Sequence, residues 1–211
     1  MDRAGASNWD RLAPRYGRQE RLEERAIATA LRLAAPAPDE RLVDLATGTG
    51  LLLRRLAARR PRPIEAVGIE RSAGMLARVG PLPAGWSLLH ADARAVPLPD
   101  GCAGVVTCAY LLQLLDGPDR RAVLAEARRL LRPQSGARLV VVTVWSDERR
   151  AAGRLAGPAL RSAACVRPRV WGGLRPLDPA ADLAAAGFTA TRRVVLPRGG
   201  YPSLVLAARP T

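Results

Sequence analysis

The sequence predicts an α/β fold, a doubly wound, Rossmann-like seven-stranded sheet that is mostly parallel with a C-terminal antiparallel hairpin strand. Three observations carry that prediction. Strand-like and helix-like segments alternate through the first two thirds of the chain. A turn rich in small residues, Ala46-Thr47-Gly48-Thr49-Gly50, joins the first strand to a helix. The last two strand-like runs flank Pro197-Arg198-Gly199-Gly200-Tyr201-Pro202, which reads as a hairpin loop. The 211 residues suit one domain, 1–211, with an N-terminal helical cap over 1–38 and an insertion over 145–177.

The elements follow in order. From Glu20 to Ala35, Leu22, Ala26, Ile27, Ala30, Leu31 and Ala34 recur on one face of a helix, which stops before Pro36 and Pro38. Arg41 to Ala46 is a strand, Gly50 to Arg59 a leucine-rich helix, and Ile64 to Ile69 a second strand after Pro61 and Pro63, so the unit is βαβ. Ser72 caps a helix running to Val79. Trp86 to His90 and Val105 to Ala109 are the third and fourth strands. Pro118 to Leu131 has the period of an amphipathic helix, with Val123, Leu124, Ala127, Leu130 and Leu131 inward. The β-branched run from Arg138 to Trp145 is the candidate buried central strand. Asp178 to Ala186 is a helix that Gly187 ends, and Thr189 to Leu196 and Ser203 to Ala208 close the sheet.

Composition removes several chemistries. The 33 basic residues are all arginine, against 19 acids, for a net charge of +14. A chain without lysine forms no Schiff base and has no P-loop lysine. One histidine, His90, and cysteines at 102, 108 and 165 give neither a zinc cage nor an iron–sulfur run, so no metal is expected. Met1 to Glu24 is polar, and no apolar stretch is long enough to span a bilayer. A cytoplasmic protein without membrane association is therefore expected, with the odd cysteine count suiting a reducing compartment.

The informative residues sit at strand ends. Asp44 lies in or at the end of the first strand, just before the turn. Glu70 ends the second strand 20 residues after Gly50, where a carboxylate can accept both hydroxyls of a ribose. Together they indicate a nucleoside cofactor. A dinucleotide site needs a third glycine, and the residue three after Gly50 is Leu53, which disfavours NAD or FAD. Asp92, after the third strand, is a further acid suited to an adenine amino group.

Four motifs in order then resemble the class I S-adenosylmethionine-dependent methyltransferases, and within them the type 11 group that includes quinone and small-molecule methyltransferases. These are Val43 to Gly50, Val67 to Leu76, His90 to Pro99, and Leu124 to Pro133. The resemblance implies that S-adenosyl-L-methionine is the cofactor. It places Ala46, Thr47, Gly48 and Gly50 along the methionine portion, with Asp44 holding the amino group through water. It gives Glu70 the ribose, Arg71 and Met75 the flanks of the adenine, Asp92 and Ala93 its amino edge, and Cys108 a position near the methyl. Trp9 and Tyr16 resemble a segment that closes over cofactor and substrate, and Tyr110, Gln113 and Trp145 fall on the substrate side, with Asp147, Glu148 and Tyr201 as further candidates there.

The chain departs from the family pattern at three places. Ala46 replaces the commoner glycine, Ala103-Gly104 replaces a Phe-Asp pair, and Gln113-Leu114 stands where many relatives carry two histidines, so no residue is assigned as catalytic. His90 is read as structural or adenine-side, and Cys108 as a packed hydrophobe. The implied function is methyl transfer by in-line displacement to a small hydrophobic or aromatic acceptor at oxygen, carbon or nitrogen, in small-molecule biosynthesis. The alternatives are an RNA methyltransferase, possible on charge but not favoured, and a non-catalytic S-adenosylmethionine-binding partner; the chain is expected to be a monomer or homodimer. Seven arginines between Arg149 and Arg175, with no acid from Arg149 to Leu177, make 145–177 either a lid for an anionic acceptor or a solvated face.

Overall fold

The computed structural model describes residues 8–133, 136–145 and 175–211. Its strands are β1 (Arg41–Leu45), β2 (Glu65–Glu70), β3 (Trp86–His90), β4 (Val105–Ala109), β5 (Arg138–Val144), β6 (Phe188–Leu196) and β7 (Ser203–Pro210). The described helices are α1 (Asn8–Leu12), α2 (Gly17–Ala34), α3 (Leu51–Ala57), α4 (Ala73–Leu76), α5 (Gly117–Leu130) and α6 (Ala180–Ala185), with 3-10 turns at Ala13–Arg15 and Leu112–Leu114.

The apolar run of β5 shows why the sheet is covered on both faces. Leu139 and Val141 join one core with Val43, Leu45, Val106 and the inner face of α5. Val140, Val142 and Val144 join the other, with Leu42, α2 and α3. A strand of period 2 with every residue after its first buried has to lie inside a two-sided sandwich of helices.

The sheet order is β3-β2-β1-β4-β5-β7-β6. The first five strands are parallel, while β7 runs antiparallel between β5 and β6, as the hairpin loop at 197–202 predicts. Because β1 pairs with both β2 and β4, chain order reverses at β1, which opens a crevice at the carboxyl ends of these strands. Gly104 lets β4 start cleanly: its N–H donates to Arg41 O, and a Cβ there would sit 2.8 Å from Glu40 Oε1. Beyond β5, Leu177 N donates to Val144 O (2.9 Å) and Thr143 Oγ1 donates to Leu177 O (2.8 Å). The two ends of the segment 145–176 are thereby tied together.

Most element bounds differ from expectation by one or two residues, and three of the differences bear on the site. Helix α2 starts at Gly17, fed by the 3-10 turn, and its buried stripe is Glu23, Ala26, Ile27, Ala30, Leu31 and Ala34. Leu22, one residue off that stripe and rotated about 100° from it, is 39% exposed. Strand β1 stops at Leu45 because Ala46 turns into the left-handed region with φ +56. Helix α4 ends at Leu76, three residues before the expected Val79.

The segment linking β3 to β4 is held by side chains of α5. Buried Glu126 accepts from Val96 N (2.6 Å) and from Arg129. Arg129 in turn donates to the carbonyls of Val96 and Leu98 and to Asp100. Glu126→Ala leaves a buried N–H and a guanidinium without their acceptor and is expected to destabilise the chain by about 1–3 kcal/mol, read as a lowered urea midpoint with unchanged m-value.

Candidate functional site

Two non-glycine residues with left-handed φ stand side by side at the crevice. Ala46 ends β1 and Tyr110, also at φ +56, ends β4. Such backbone persists only where surrounding contacts hold it. Tyr110 is held by its N–H to Val142 O and by its hydroxyl on Ser203 Oγ (2.8 Å). In the turn after β1, Gly48 and Gly50 are also left-handed. A Cβ at Gly50 would lie 2.5 Å from Val79 Cγ1, so only glycine fits there. A Cβ at Gly48 would meet nothing within 4 Å, because Gly48 faces the cavity.

Three acids surround this turn. Glu70 accepts from Gly48 N (3.1 Å) with one carboxylate oxygen and from Ser72 N (2.8 Å) with the other, so both are oriented and each keeps a free lone pair. Burial raises its pKa, and the backbone N–H groups of Ser72, Gly48 and Arg71 counter that rise. Asp44 is fully enclosed and accepts from Thr107 Oγ1 (2.7 Å); burial pushes its pKa up to about 6. Asp92 is gripped by Arg94, whose Nη2 lies 2.6 Å and Nε 3.0 Å from its two oxygens, and that hydrogen-bonded cation lowers its pKa. Arg94 also reaches Asp119 on α5 (2.7 Å).

The crevice is a cavity with two unlike ends. Glu70, Arg71, Met75, Asp92, Ala93 and Arg94 line the polar end, and Ala46 and Gly48 its floor. Trp9, Tyr16, Tyr110, Leu111, Leu114 and Leu115 line the apolar end. Not all the expected residues reach it. Asp44, Thr47 and Gly50 support the turn from behind without being lining residues. Cys108 lies in the apolar core with its thiol pushed up by burial. Gln113 is buried with neither amide atom partnered among the described residues. Trp145 packs on the core with the Arg193 guanidinium 5.8 Å over its ring. His90 Nε2 is bonded to Arg71 O (2.9 Å), a structural position. Tyr201 packs edge-on against Tyr110, while Asp147 and Glu148 lie outside the described residues.

The cap supplies residues that the sequence reading passed over. Asp10 Oδ1 accepts from Ser72 Oγ (2.5 Å) and Gly74 N (2.8 Å), fastening α1 to the start of α4 beside the polar end. Glu20 accepts from Thr49 Oγ1 (2.5 Å) and Arg54 (2.7 Å), tying α2 to the glycine turn. Glu23, on the buried stripe of α2, accepts from Tyr16 Oη (2.9 Å). Burial, partly offset by the Tyr16 bond, raises its pKa to about 7. An acid at a stripe position of α2 was the available signal for Glu23. For Arg94 it was the spacing to Asp92, since Asp92 accepts the N–H two residues on (2.9 Å) as turn-forming aspartates do.

An open sheet whose strand order reverses at β1, with a glycine turn and an oriented carboxylate at that point, defines a Rossmann-like nucleoside-binding domain. Residues 42–134 match the family model described as a methyltransferase domain. The chain is 36% identical over 144 residues to the ubiquinone/menaquinone biosynthesis C-methyltransferase UbiE of Syntrophotalea carbinolica, covering 64% of this chain and 58% of that one. To the demethylmenaquinone methyltransferase of Thermus thermophilus it is 37% identical over 140 residues, covering 62% and 61%. The chain thus spans about three fifths of these relatives' length. The fold is shared with a chain of the Haloferax volcanii complex between the Trm112 methyltransferase activator and a methyltransferase, at TM-score 0.71, 16% identity and 96% coverage of both chains. Human N-acetylserotonin methyltransferase shares it at TM-score 0.65 and 17% identity, over 96% of this chain and 54% of that one.

Two measurements probe the cap. Because the folded chain keeps the Glu23 proton to about pH 7 and the unfolded chain releases it in the ordinary carboxylate range, the folded state binds more protons in between. Stability therefore falls as pH rises through that window. Glu23→Gln is expected to raise Tm relative to wild type at pH 8, by the equivalent of roughly 1–3 kcal/mol, with the gain vanishing below about pH 4. Asp10→Ala removes the acceptor for Ser72 and Gly74 and is expected to increase amide exchange of residues 8–16 with little change in global stability.

Proposed function

We propose that the chain transfers a methyl group from S-adenosyl-L-methionine to a small, apolar or aromatic acceptor at oxygen, carbon or nitrogen. The observation that carries this reading is the Glu70 carboxylate, aimed by Gly48 N and Ser72 N beside a turn whose open Gly48 leaves room for a ligand against the backbone. Two adjacent ribose hydroxyls are donors matched to its free lone pairs. In this reading Arg71 and Met75 flank the adenine, and Asp92, steadied by Arg94, accepts from its amino group while Ala93 N donates. The cofactor, when bound, supplies an electrophilic methyl group.

The residues of this chain then align and enclose. Asp44, buried and tied to Thr107, places negative charge beneath the turn where an ammonium group is held. Tyr110, Leu111, Leu114 and Leu115 form an apolar wall, and Trp9 and Tyr16 cover it from the cap, so water is excluded from the acceptor. Two of the relatives are named as a ubiquinone/menaquinone biosynthesis C-methyltransferase and a demethylmenaquinone methyltransferase.

A small acceptor is favoured over RNA because the end of the cavity away from Glu70 is lined by Tyr110, Leu111, Leu114 and Leu115 rather than by arginines. Among the described residues no helix is long and apolar enough to cross a membrane, and no His, Cys, Asp or Glu cluster could hold a metal. Residues 8–38 serve as the cap of one domain, in a cytoplasmic monomer or homodimer, while the lid expected over 145–177 lies for the most part outside the described residues. Free Cys102 and Cys108 suit that compartment.

Calorimetry with S-adenosyl-L-methionine tests the reading. Wild type is expected to bind one cofactor, Glu70→Ala to weaken binding at least about 10-fold through two lost charge-assisted hydrogen bonds, and Asp92→Ala to weaken it less. Wild-type affinity in both variants would remove the assignment.

A further inference from the structure

At the apolar end of the cavity, the described titratable groups reduce to Tyr16 and Tyr110. Their hydroxyls are committed differently. Ser203 Oγ donates its single proton to Tyr201 O (2.8 Å), so in its contact with Tyr110 it accepts, and the Tyr110 proton ends on a hydroxyl that is not a base. Tyr16 donates to Glu23 Oε1, a carboxylate sealed from solvent with 6% exposure and able to take the proton outright. In the reading above, the carboxylates at the other end are committed to the cofactor, Glu70 to its ribose and Asp92, steadied by Arg94, to its adenine.

We infer that Tyr16 and Glu23 form a proton-accepting pair, with Tyr16 the catalytic residue that meets the acceptor and Glu23 the positioning residue behind it, and that the acceptor carries an aromatic hydroxyl. The inference rests on the methyl-transfer reading above. As the methyl bond forms, the O–H proton of the acceptor passes to Tyr16 Oη and the Tyr16 proton passes to Glu23 Oε1. The electron pair released on the aromatic oxygen bonds the methyl carbon, and the C–S pair stays on sulfur; where that pair is delocalised to the ring carbon beside it, the methylated ketone then shifts its ring C–H proton to the oxygen and regains the aromatic hydroxyl. A cationic sulfonium and an anionic carboxylate become a neutral thioether and a neutral carboxylic acid, so the net charge of the enclosed site is the same before and after the step.

The surroundings of Glu23 set its proton affinity where such a pair can work. Besides Tyr16, the groups acting on it or on its tyrosine are Glu20 on the same helix, Tyr110 at the end of β4 and Tyr201 before β7. None of these is a cation, and Glu20 is itself paired with Arg54. The result is a carboxylate that gains its proton near neutrality, where a general base is most effective.

The test has two arms on the full chain. In the first, 13C NMR of labelled glutamate carboxyls follows Glu23, assigned by its loss in Glu23→Gln. A midpoint near 7 is expected, moving higher in Tyr16→Phe, and a midpoint in the ordinary carboxylate range would overturn the inference. In the second, labelled S-adenosyl-L-methionine is offered with 1-naphthol or with 1,4-naphthohydroquinone kept reduced. Wild-type kcat is expected to rise with pH to a plateau above about 7. Tyr16→Phe and Glu23→Gln should lose about 100-fold or more in kcat with KM for both substrates unchanged, the pH dependence should disappear in Glu23→Gln, and Glu23→Asp should recover part of the rate. Wild-type kcat and pH profile in the variants, or methylation of neither probe by a wild type that binds the cofactor, would overturn the inference. Failure of the wild type to bind the cofactor would instead remove the functional reading on which it rests.

Discussion

The geometry of the cavity depends on the two hydrogen bonds that Glu70 accepts, one from each of two turns. Gly48 N belongs to the turn after β1 and Ser72 N to the turn after β2. A single carboxylate at the end of β2 therefore fixes the separation of two loops that otherwise share only the strands beneath them. The same turns receive the cap, through Glu20 on Thr49 and Asp10 on Ser72 and Gly74. Burying an acid is costly, and that cost is offset here by oriented backbone donors.

Most of the fold was legible because its signals are local and periodic. The β-branched run of β5, the glycine turn and the proline-flanked hairpin each dictate one kind of backbone, and the mostly parallel sheet follows from the alternation. The acids Asp44, Glu70 and Asp92 were legible from their places at strand ends. What escaped was decided by long-range packing. That Glu23 faces inward and Leu22 outward depends on which side of α2 meets the sheet, and a one-residue offset of about 100° decides it. That Cys108 and Trp145 leave the cavity lining to Leu111, Leu114 and Leu115 depends on the 3-10 turn after Tyr110, whose strained backbone carries no mark in the sequence.

The arginine excess also changes meaning in three dimensions. Much of it serves as internal fastening rather than as surface charge. Arg138 donates to Ala34 O and Ala35 O at the end of α2 as well as to Glu40, and Arg129 and Arg120 likewise donate to backbone carbonyls of loops. A planar guanidinium with five donors can serve a carboxylate and two carbonyls at once, whereas the compact ammonium of lysine presents three donors from one point. In a chain without lysine, loops can be pinned by side chains in this way without added secondary structure.

The bonds between Leu177 and the residues Thr143 and Val144 give the fold an evolutionary property. They bring the two ends of the 145–176 segment to one point on the rigid β5, so the framework places no demand on how many residues lie between them. Loop-closure entropy grows only with the logarithm of length, at about 0.6 kcal/mol per doubling. Relatives could lengthen, shorten or exchange this segment at little thermodynamic cost while the Glu70 end of the cavity stays untouched. Such a segment could therefore be exchanged at one seam, without redesign of the domain that carries it.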